Sequence, residues 1–310
     1  MKVAAATQPL VSVVTPSFNQ GRWLADNLRS VEMQSYSRIE HIVMDGGSTD
    51  GSTRVLEQHS RPDLRWTRER DRGQSHALNK AFAASRGEII GWLNSDDAYC
   101  AADAVAAAVE AFQGDPELDV VYGHALLVNA DGLIVQTLWV PPFSRRLLRL
   151  HDFIIQPAAF IRRSALGDEL ADETFDFTMD YELWLRLSQT RRFRRLGRLL
   201  AIDRHQVARK SYVMADVGLS DTMRLHAMYG ANVGPAAWIA RKLMKVAQRI
   251  IGATLIPAAV RDRPGFGLRS DGKLRLLRRQ VAMKRAEMPA GATGEDDAAG
   301  VTGAEDEPSA

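Results

Sequence analysis

Residues 88–97 read EIIGWLNSDD, an apolar run from Ile89 to Leu93 that closes on Asn94, Ser95, Asp96 and Asp97. A short continuous apolar run predicts a strand buried on both faces. Acids at its carboxyl end stand where open parallel sheets take their ligands. Toward the N-terminus, IEHIVMD (39–45) repeats the pattern and ends on Asp45. Further out, VSVVTPSF (11–18) is rich in β-branched residues and is expected to stop at Pro16. A third strand is read in DLRWTRE (63–69).

Helical spacing fills the gaps between these strands. Leu24, Leu28 and Val31 recur at i, i+4 and i+7, and QSHALNKAFAAS (74–85) packs Ala77, Leu78, Ala81 and Phe82 on one face. GGSTDGS (46–52) is turn chemistry leading into a short helix through Glu57, and a further helix carries Val105, Val109 and Phe112. Strand and helix in alternation predict an α/β fold with right-handed crossovers. Downstream, DVVYGHALLVN and LIVQTLWV flank Ala130-Asp131-Gly132, a hairpin signal, so the sheet is expected to be mixed. TMDYELWLRLSQ (178–189) reads as a helix with Met179, Leu183 and Leu187 toward the core and Thr178 as an N-cap.

Composition sets the frame. With 45% apolar and 25% charged residues the chain is an ordinary globular protein. One cysteine, Cys100, excludes an intrachain disulfide and fits a reducing cytoplasm. The opening MKVAAATQPLVSVV runs into the first strand and is not read as a signal peptide, and no run reaches the length of a membrane span. From Trp238 to Arg285 there are thirteen Lys/Arg against two Asp, whereas the stretch from Pro289 carries acids and no Lys or Arg. Three zones are expected: a body over 1–215, a basic amphipathic helical appendage over 216–287, and an acidic, disordered tail over 288–310.

Each candidate side chain has a functional and a structural reading. Asp96 and Asp97 offer hard oxygen ligands to Mg²⁺ or Mn²⁺ bridging a diphosphate, or they cap the next helix. Asp45 can accept from a base or ribose, while its glycine-rich loop can equally be a tight turn. Asp180, in the first turn of its helix, suits the macrodipole or serves as a general base, with Glu182 its competitor. Trp184 is core or a platform for a sugar ring. His205, near Arg204 and Lys210, is a phosphate or metal contact or an ordinary satisfied histidine. The basic run 191–198 is read as a solvated face. No G-x-G-x-x-G and no Walker loop occurs, which leaves dinucleotide and NTPase functions without their motif.

Seven segments in order, VSVVTPSFN, SVEMQSY, IEHIVMDGGSTDGS, ERDRGQSHALNKAF, GEIIGWLNSDD, TMDYELWLRL and HQVARKS, resemble family 2 of the glycosyltransferases. The resemblance covers residues 10 to about 212 and implies a GT-A-type fold, a mixed, mostly parallel sheet flanked by helices. It implies an inverting transferase of the hexosyltransferase type. Such an enzyme moves a sugar from a nucleotide-diphosphate donor, UDP-sugar foremost, to a saccharide or lipid-linked acceptor in surface polysaccharide synthesis. Pro16, Asp45, Asp71, Asn79, Asp96, His205 and Lys210 match the donor site. Asp97, with His205, matches the position of a divalent metal, Mn²⁺ or Mg²⁺. Asp180 matches the catalytic base, and Gln156, Phe160 and Trp184 the acceptor side. One departure stands out: many relatives carry Ala-Arg-Asn where this chain has Ala77-Leu78-Asn79.

The competing readings are a sugar nucleotidyltransferase, a retaining transferase, and an inactive sugar-nucleotide-binding or scaffold protein. The basic helices, Ile239, Leu243, Val246, Ala247 and Ile250 on one face, suit an anionic membrane surface and a peripheral location, or they pack on the body or a second subunit. No nucleic-acid partner is expected.

Overall fold

The structure is a computed structural model describing residues 8–206 and 215–230, then 235, 238, 239, 242–248 and 250–252. Nine strands form one sheet: β1 (Val11–Ser17), β2 (Ile39–Asp45), β3 (Leu64–Arg68), β4 (Ile89–Trp92), β5 (Ala98–Tyr99), β6 (Val120–Asn129), β7 (Ile134–Leu138), β8 (Ala159–Arg162) and β9 (Phe193–His205). Their order is β3-β2-β1-β4-β8-β6-β9-β5, with β7 paired to β6. The β3-β2-β1-β4 half is parallel, as the alternation predicts. Beyond it, β8 runs antiparallel to both β4 and β6, and β9 lies parallel to β6.

The helices are α1 (Gly21–Glu32), α2 (Ser52–Gln58), α3 (Gln74–Ala84), α4 (Ala104–Gln113), α5 (Arg145–Leu148), α6 (Met179–Leu187) and α7 (Ala215–Tyr229). Side chains alternate across the sheet. Val14, Ile42, Ile90 and Tyr122 face α3 and α6, where Leu78, Phe82, Leu183 and Trp184 complete one core. Val11, Val13, Ile89 and Val121 face the other way, against Val105, Val109 and Phe112 of α4. A core leucine such as Leu78, fully buried, is worth roughly 2–5 kcal/mol against alanine. Leu78 therefore serves packing, and its neighbour Ala77 is the residue of that pair that reaches the cavity described below.

Two local expectations are corrected. β1 does not stop at Pro16 but runs through it to Ser17. The Val14 carbonyl accepts Leu93 N–H on the β4 side, and Pro16, two residues on, faces that same side where β4 has ended. Its missing N–H thus costs the ladder no bond. Thr178 precedes α6 but makes no side-chain cap bond. The basic run 191–198 leads into β9 with the side chains of Arg192, Arg194 and Arg198 exposed, and Arg192 and Arg194 pair with Asp115.

The α7 helix packs on the body. Leu225 is fully buried, Asp221 accepts the Phe177 N–H at 3.2 Å, the Tyr229 hydroxyl donates to Glu182 at 2.9 Å, and the Arg224 guanidinium lies 4.2 Å from the Phe175 ring centre. Residues 253–310, which hold the second basic segment and the acidic stretch, lie outside the described residues. Among the described residues no helix is long and apolar enough to cross a membrane.

Candidate active site

A cavity of about 690 Å³ opens beyond the carboxyl ends of β1 and β4, of the size that small-molecule sites take. Pro16 and Ser17 line it from β1, and Asn94 to Asp97 from the turn after β4. Gly73, Gln74 and Ala77 contribute from the start of α3, and Phe177 to Tyr181 from the start of α6. Tight turns place these residues at strand and helix ends, where backbone and side-chain polar groups converge.

The floor is a hydrogen-bonded amide network. Asn94 Oδ1 accepts from Gln74 Nε2 at 2.9 Å and from the Trp92 indole N–H at 2.8 Å, while Asn94 Nδ2 donates to Gln156 Oε1 at 2.8 Å. Gln156 Nε2 in turn donates to the Trp92 carbonyl. Gln156 is thus at the cavity. Its immediate partners are Asn94 and Trp92, and Gln74 and Trp92 are residues that sequence reasoning did not single out.

Beside the floor stand the two acids. The buried Asp97 carboxylate accepts the Arg204 backbone N–H at 2.9 Å and Asn94 Nδ2 at 3.3 Å, and Asp96 accepts Gln206 Nε2 at 3.2 Å. Asn27 holds the turn from below, donating to the carbonyls of Asn94 and Asp97 at 2.9 and 3.2 Å. Among the described residues no three His, Cys, Asp or Glu side chains cluster as a closed metal cage. Two carboxylates on a cavity wall nonetheless fit Mg²⁺ or Mn²⁺, which complete their shells with phosphate oxygens and water.

Asp71 lines the cavity and accepts the Gly73 N–H at 2.8 Å. Gly46 is needed beside it, since a Cβ there would come within 2.5 Å of the Asp71 carboxylate. Ser17 Oγ, Gln20 Oε1 and Thr178 Oγ1 are buried without a hydrogen-bond partner among the described residues, and all three residues line the cavity. Buried polar atoms are rarely left so in folded proteins.

Asp180 also lines the cavity, its Oδ1 accepting the Tyr181 N–H at 2.8 Å. Its competitor Glu182 is committed elsewhere: it is buried, accepts Arg186 Nε at 3.1 Å and receives the Tyr229 hydroxyl. Asp152, absent from the sequence reading, lies on the same wall. Burial, and then the Asp180 carboxylate nearby, push the Asp152 carboxyl well above the ordinary carboxylate range, against the Ile154 N–H that it accepts at 3.3 Å. Burial and the neighbouring Asp180 charge thus both disfavour the ionised form of Asp152. The α7 helix adds Thr222 and His226, and the segment 242–248 adds Lys245.

Other expected positions fall elsewhere. Phe160 and Trp184 lie in the core, the second of the two readings given for Trp184: Phe160 stacks on Tyr99 with ring centres 5.5 Å apart, and Trp184 is enclosed under α6. Asp45 lies behind the cavity wall, its carboxylate taken by Ser48 N–H at 2.7 Å, Ser48 Oγ at 2.6 Å and Gly47 N–H at 3.1 Å. Asn79 is corrected from donor contact to strut. Its amide accepts the N–H groups of Leu170 and Ala171 and donates to the Ala171 carbonyl, pinning the loop ahead of α6. His205 ends β9 opposite Asn129, outside the cavity lining. Lys210 lies outside the described residues.

Sequence comparison gives 28% identity over 205 residues with chondroitin synthase of Escherichia coli, covering 64% of this chain and 30% of that one. An uncharacterized glycosyltransferase of Mycobacterium tuberculosis is 33% identical over 183 residues, 57% of this chain and 68% of that one. The O-antigen biosynthesis protein RfbC of Myxococcus xanthus is 30% identical over 188 residues, 59% of this chain and 15% of that one. The chain thus spans less than a third of the length of the chondroitin synthase. Among solved structures, S. aureus TarS 1-349 in complex with UDP-GlcNAc superposes with a TM-score of 0.55 at 20% identity, covering 73% of this chain and 68% of that one. The mannosyltransferase PcManGT from Pyrobaculum calidifontis, in complex with GDP-Man and Mn²⁺, gives 0.52 at 18% identity, covering 91% and 81%. These likenesses establish the fold as GT-A type. The glycosyl transferase family 2 model matches residues 12–170, about half the chain, and the protein belongs to that family.

Proposed function

We propose that this chain is an inverting glycosyltransferase that moves a sugar from a nucleotide-diphosphate donor, a UDP-sugar, to a saccharide or lipid-linked acceptor. One observation carries the reading: Asp96 and Asp97 share a single cavity with Asp180 and with the polar residues Ser17, Gln20 and Thr178. Pro16, Ser17, Gln20 and Asp71 are assigned to the nucleoside end. Asp96 and Asp97 would hold a divalent cation, which when bound neutralises the charge of the departing diphosphate.

Asp180 accepts the proton of the acceptor hydroxyl. The hydroxyl oxygen forms its bond to the anomeric carbon on the face opposite the phosphate. The sugar–phosphate C–O bond breaks in the same displacement, and its electron pair leaves with the nucleoside diphosphate. Asp152, whose ionised form is disfavoured by burial and by the Asp180 charge, stands on the same wall as that base. The amide floor of Gln74, Asn94 and Gln156 keeps the acids in register, so the rate gain is chiefly one of positioning and charge stabilisation. The names of the chondroitin synthase and O-antigen relatives support a place in surface polysaccharide assembly. We assign the catalytic body to residues 1–215, the basic appendage to 216–287 and an acidic tail to 288–310, working at the cytoplasmic face of the membrane.

The test is calorimetric titration of UDP, GDP and dTDP, each with Mn²⁺ and with EDTA, on the wild type and on Asp97→Ala. Metal-dependent binding of one nucleotide, lost in the variant, is expected. Failure of every nucleotide to bind with metal present would remove the donor assignment and leave the scaffold reading ahead.

A further inference from the structure

Nine of the twelve large apolar side chains exposed among the described residues fall between Leu219 and Ile251. They are ordered. Ile239, Leu243, Val246 and Ile250 recur at i, i+4, i+7 and i+11, which places them within roughly 60° of one helical face. That face points outward, with Leu243 and Ile250 65% and 66% exposed. The opposite side meets the body through Met244, which is buried, and Gly252, which abuts the Thr137 carbonyl. The order around the helix is Met244 on the body, Lys245 at the cavity, Lys242, and then the apolar stripe. Lys242 Nζ lies 3.7 Å from the centre of the exposed Trp238 ring, so an amphipathic aromatic flanks the stripe on its basic side. On α7, the exposed Leu219 and Met223 share a strip with the cavity-lining Thr222 and His226, at i, i+3, i+4 and i+7.

We infer that α7 and the helical residues 238, 239, 242–248 and 250–252 form a docking face for an anionic lipid bilayer. The apolar stripe lies in the interface, and the cavity wall of Thr222, His226 and Lys245 is held beside the lipid head groups. A helix with an exposed apolar stripe, a basic flank and a tryptophan at their border is the form that lies in the plane of a bilayer. Charge selects the partner: thirteen Lys/Arg face two Asp between Trp238 and Arg285, which complements an acidic leaflet. A second copy of the chain fits less well, because it would bring the same cationic flank against this one. The stripe is also about 16 Å long and one helix wide, short of the roughly 800 Å² per partner of a stable dimer. The docking itself stands apart from the transferase reading. Only its consequence, delivery of a lipid-borne acceptor to the Asp180 end, rests on that reading.

The experiment is co-flotation of the full chain with phosphatidylcholine vesicles and with vesicles containing a quarter phosphatidylglycerol, at low and high salt. The variants are Leu243→Glu/Ile250→Glu and the milder Ile239→Ser/Val246→Ser, with UDP–Mn²⁺ titration run alongside. Expected are retention on the anionic vesicles alone, its decline in high salt, and a loss of roughly tenfold or more in the glutamate variant with nucleotide binding unchanged. Three results would overturn the inference: no retention of the wild type, equal retention of both variants, or a solution dimer that the same variants dissociate. Docking without nucleotide binding would sink the transferase reading and leave the docking face standing.

Discussion

Asn94 and Gln156 meet across the cavity floor, Asn94 Nδ2 donating to Gln156 Oε1 at 2.8 Å over a sequence separation of 62 residues. The bond ties the turn that carries Asp96 and Asp97 to the segment that leads into β8. Gln156→Ala leaves Asn94 Nδ2 only its longer contact with Asp97 and takes the side-chain donor from the Trp92 carbonyl. We expect a loss of about 1–3 kcal/mol of stability, read by urea denaturation, with nucleotide affinity weakened in parallel. Unchanged stability would mean that the amide network is not holding the floor.

Asp180→Asn keeps the shape of the site and removes the proton acceptor. Transfer should fall about 10²–10⁴-fold, while UDP–Mn²⁺ affinity by calorimetry stays near the wild-type value. A variant that retained its rate would exclude Asp180 as the base. Equivalent loss of nucleotide binding would place it at the donor instead.

Asp152→Asn tests the raised carboxyl. Because its folded-state pKa lies above its unfolded value, Asp152 contributes stability that is fully present below the ordinary carboxylate range and is lost as pH rises through the raised folded value. Thermal melts across pH should show that decline in the wild type and lose it in the asparagine variant. The variant should then be the more stable protein on the alkaline side. Parallel profiles would show that Asp152 ionises normally.

His41 supplies the opposite slope. It is fully buried in β2, and burial, then the nearby Arg61 guanidinium, lower its pKa to about 3. Arg61 Nη2 sits 3.3 Å from Nδ1 and can only donate, so Nδ1 accepts and Nε2 carries the proton toward Thr15 Oγ1 at 3.0 Å. A depressed histidine keeps its stability above the unfolded value of 6.5 and loses it as pH falls toward about 3, by at most roughly 1.4 kcal/mol per pH unit. Against His41→Asn, the wild type should lose its advantage progressively on acidification, measured by denaturant midpoints between pH 7 and pH 4.

The parallel half of the fold was legible because its signals are local. IEHIVMD and EIIGWLNSDD are continuous apolar runs ending in acids, and Leu24, Leu28 and Val31 mark their helix by spacing alone. β9 was not legible. Its first residues, FRRLGR, interleave arginines with apolar side chains in a segment lying half-buried beside β6, so composition masked the period. Phe160 and Trp184 showed the converse limit, since an aromatic in a motif carries no mark of whether it faces a ligand or the core.

Sequence by itself determined the alternation of strands and helices and the placing of Asp96, Asp97 and Asp180 at element ends, because each depends on spacing within about a dozen residues, and it carried the family resemblance through the order of seven such short segments. Tertiary structure alone decided that Asp152 faces Asp180, that Asn79 and Glu182 are struts, and that α7 and Lys245 complete the cavity wall. Those relations join residues tens of positions apart. Their energies come from burial and from charge held close in a low-dielectric wall, and neither exists until the chain has packed.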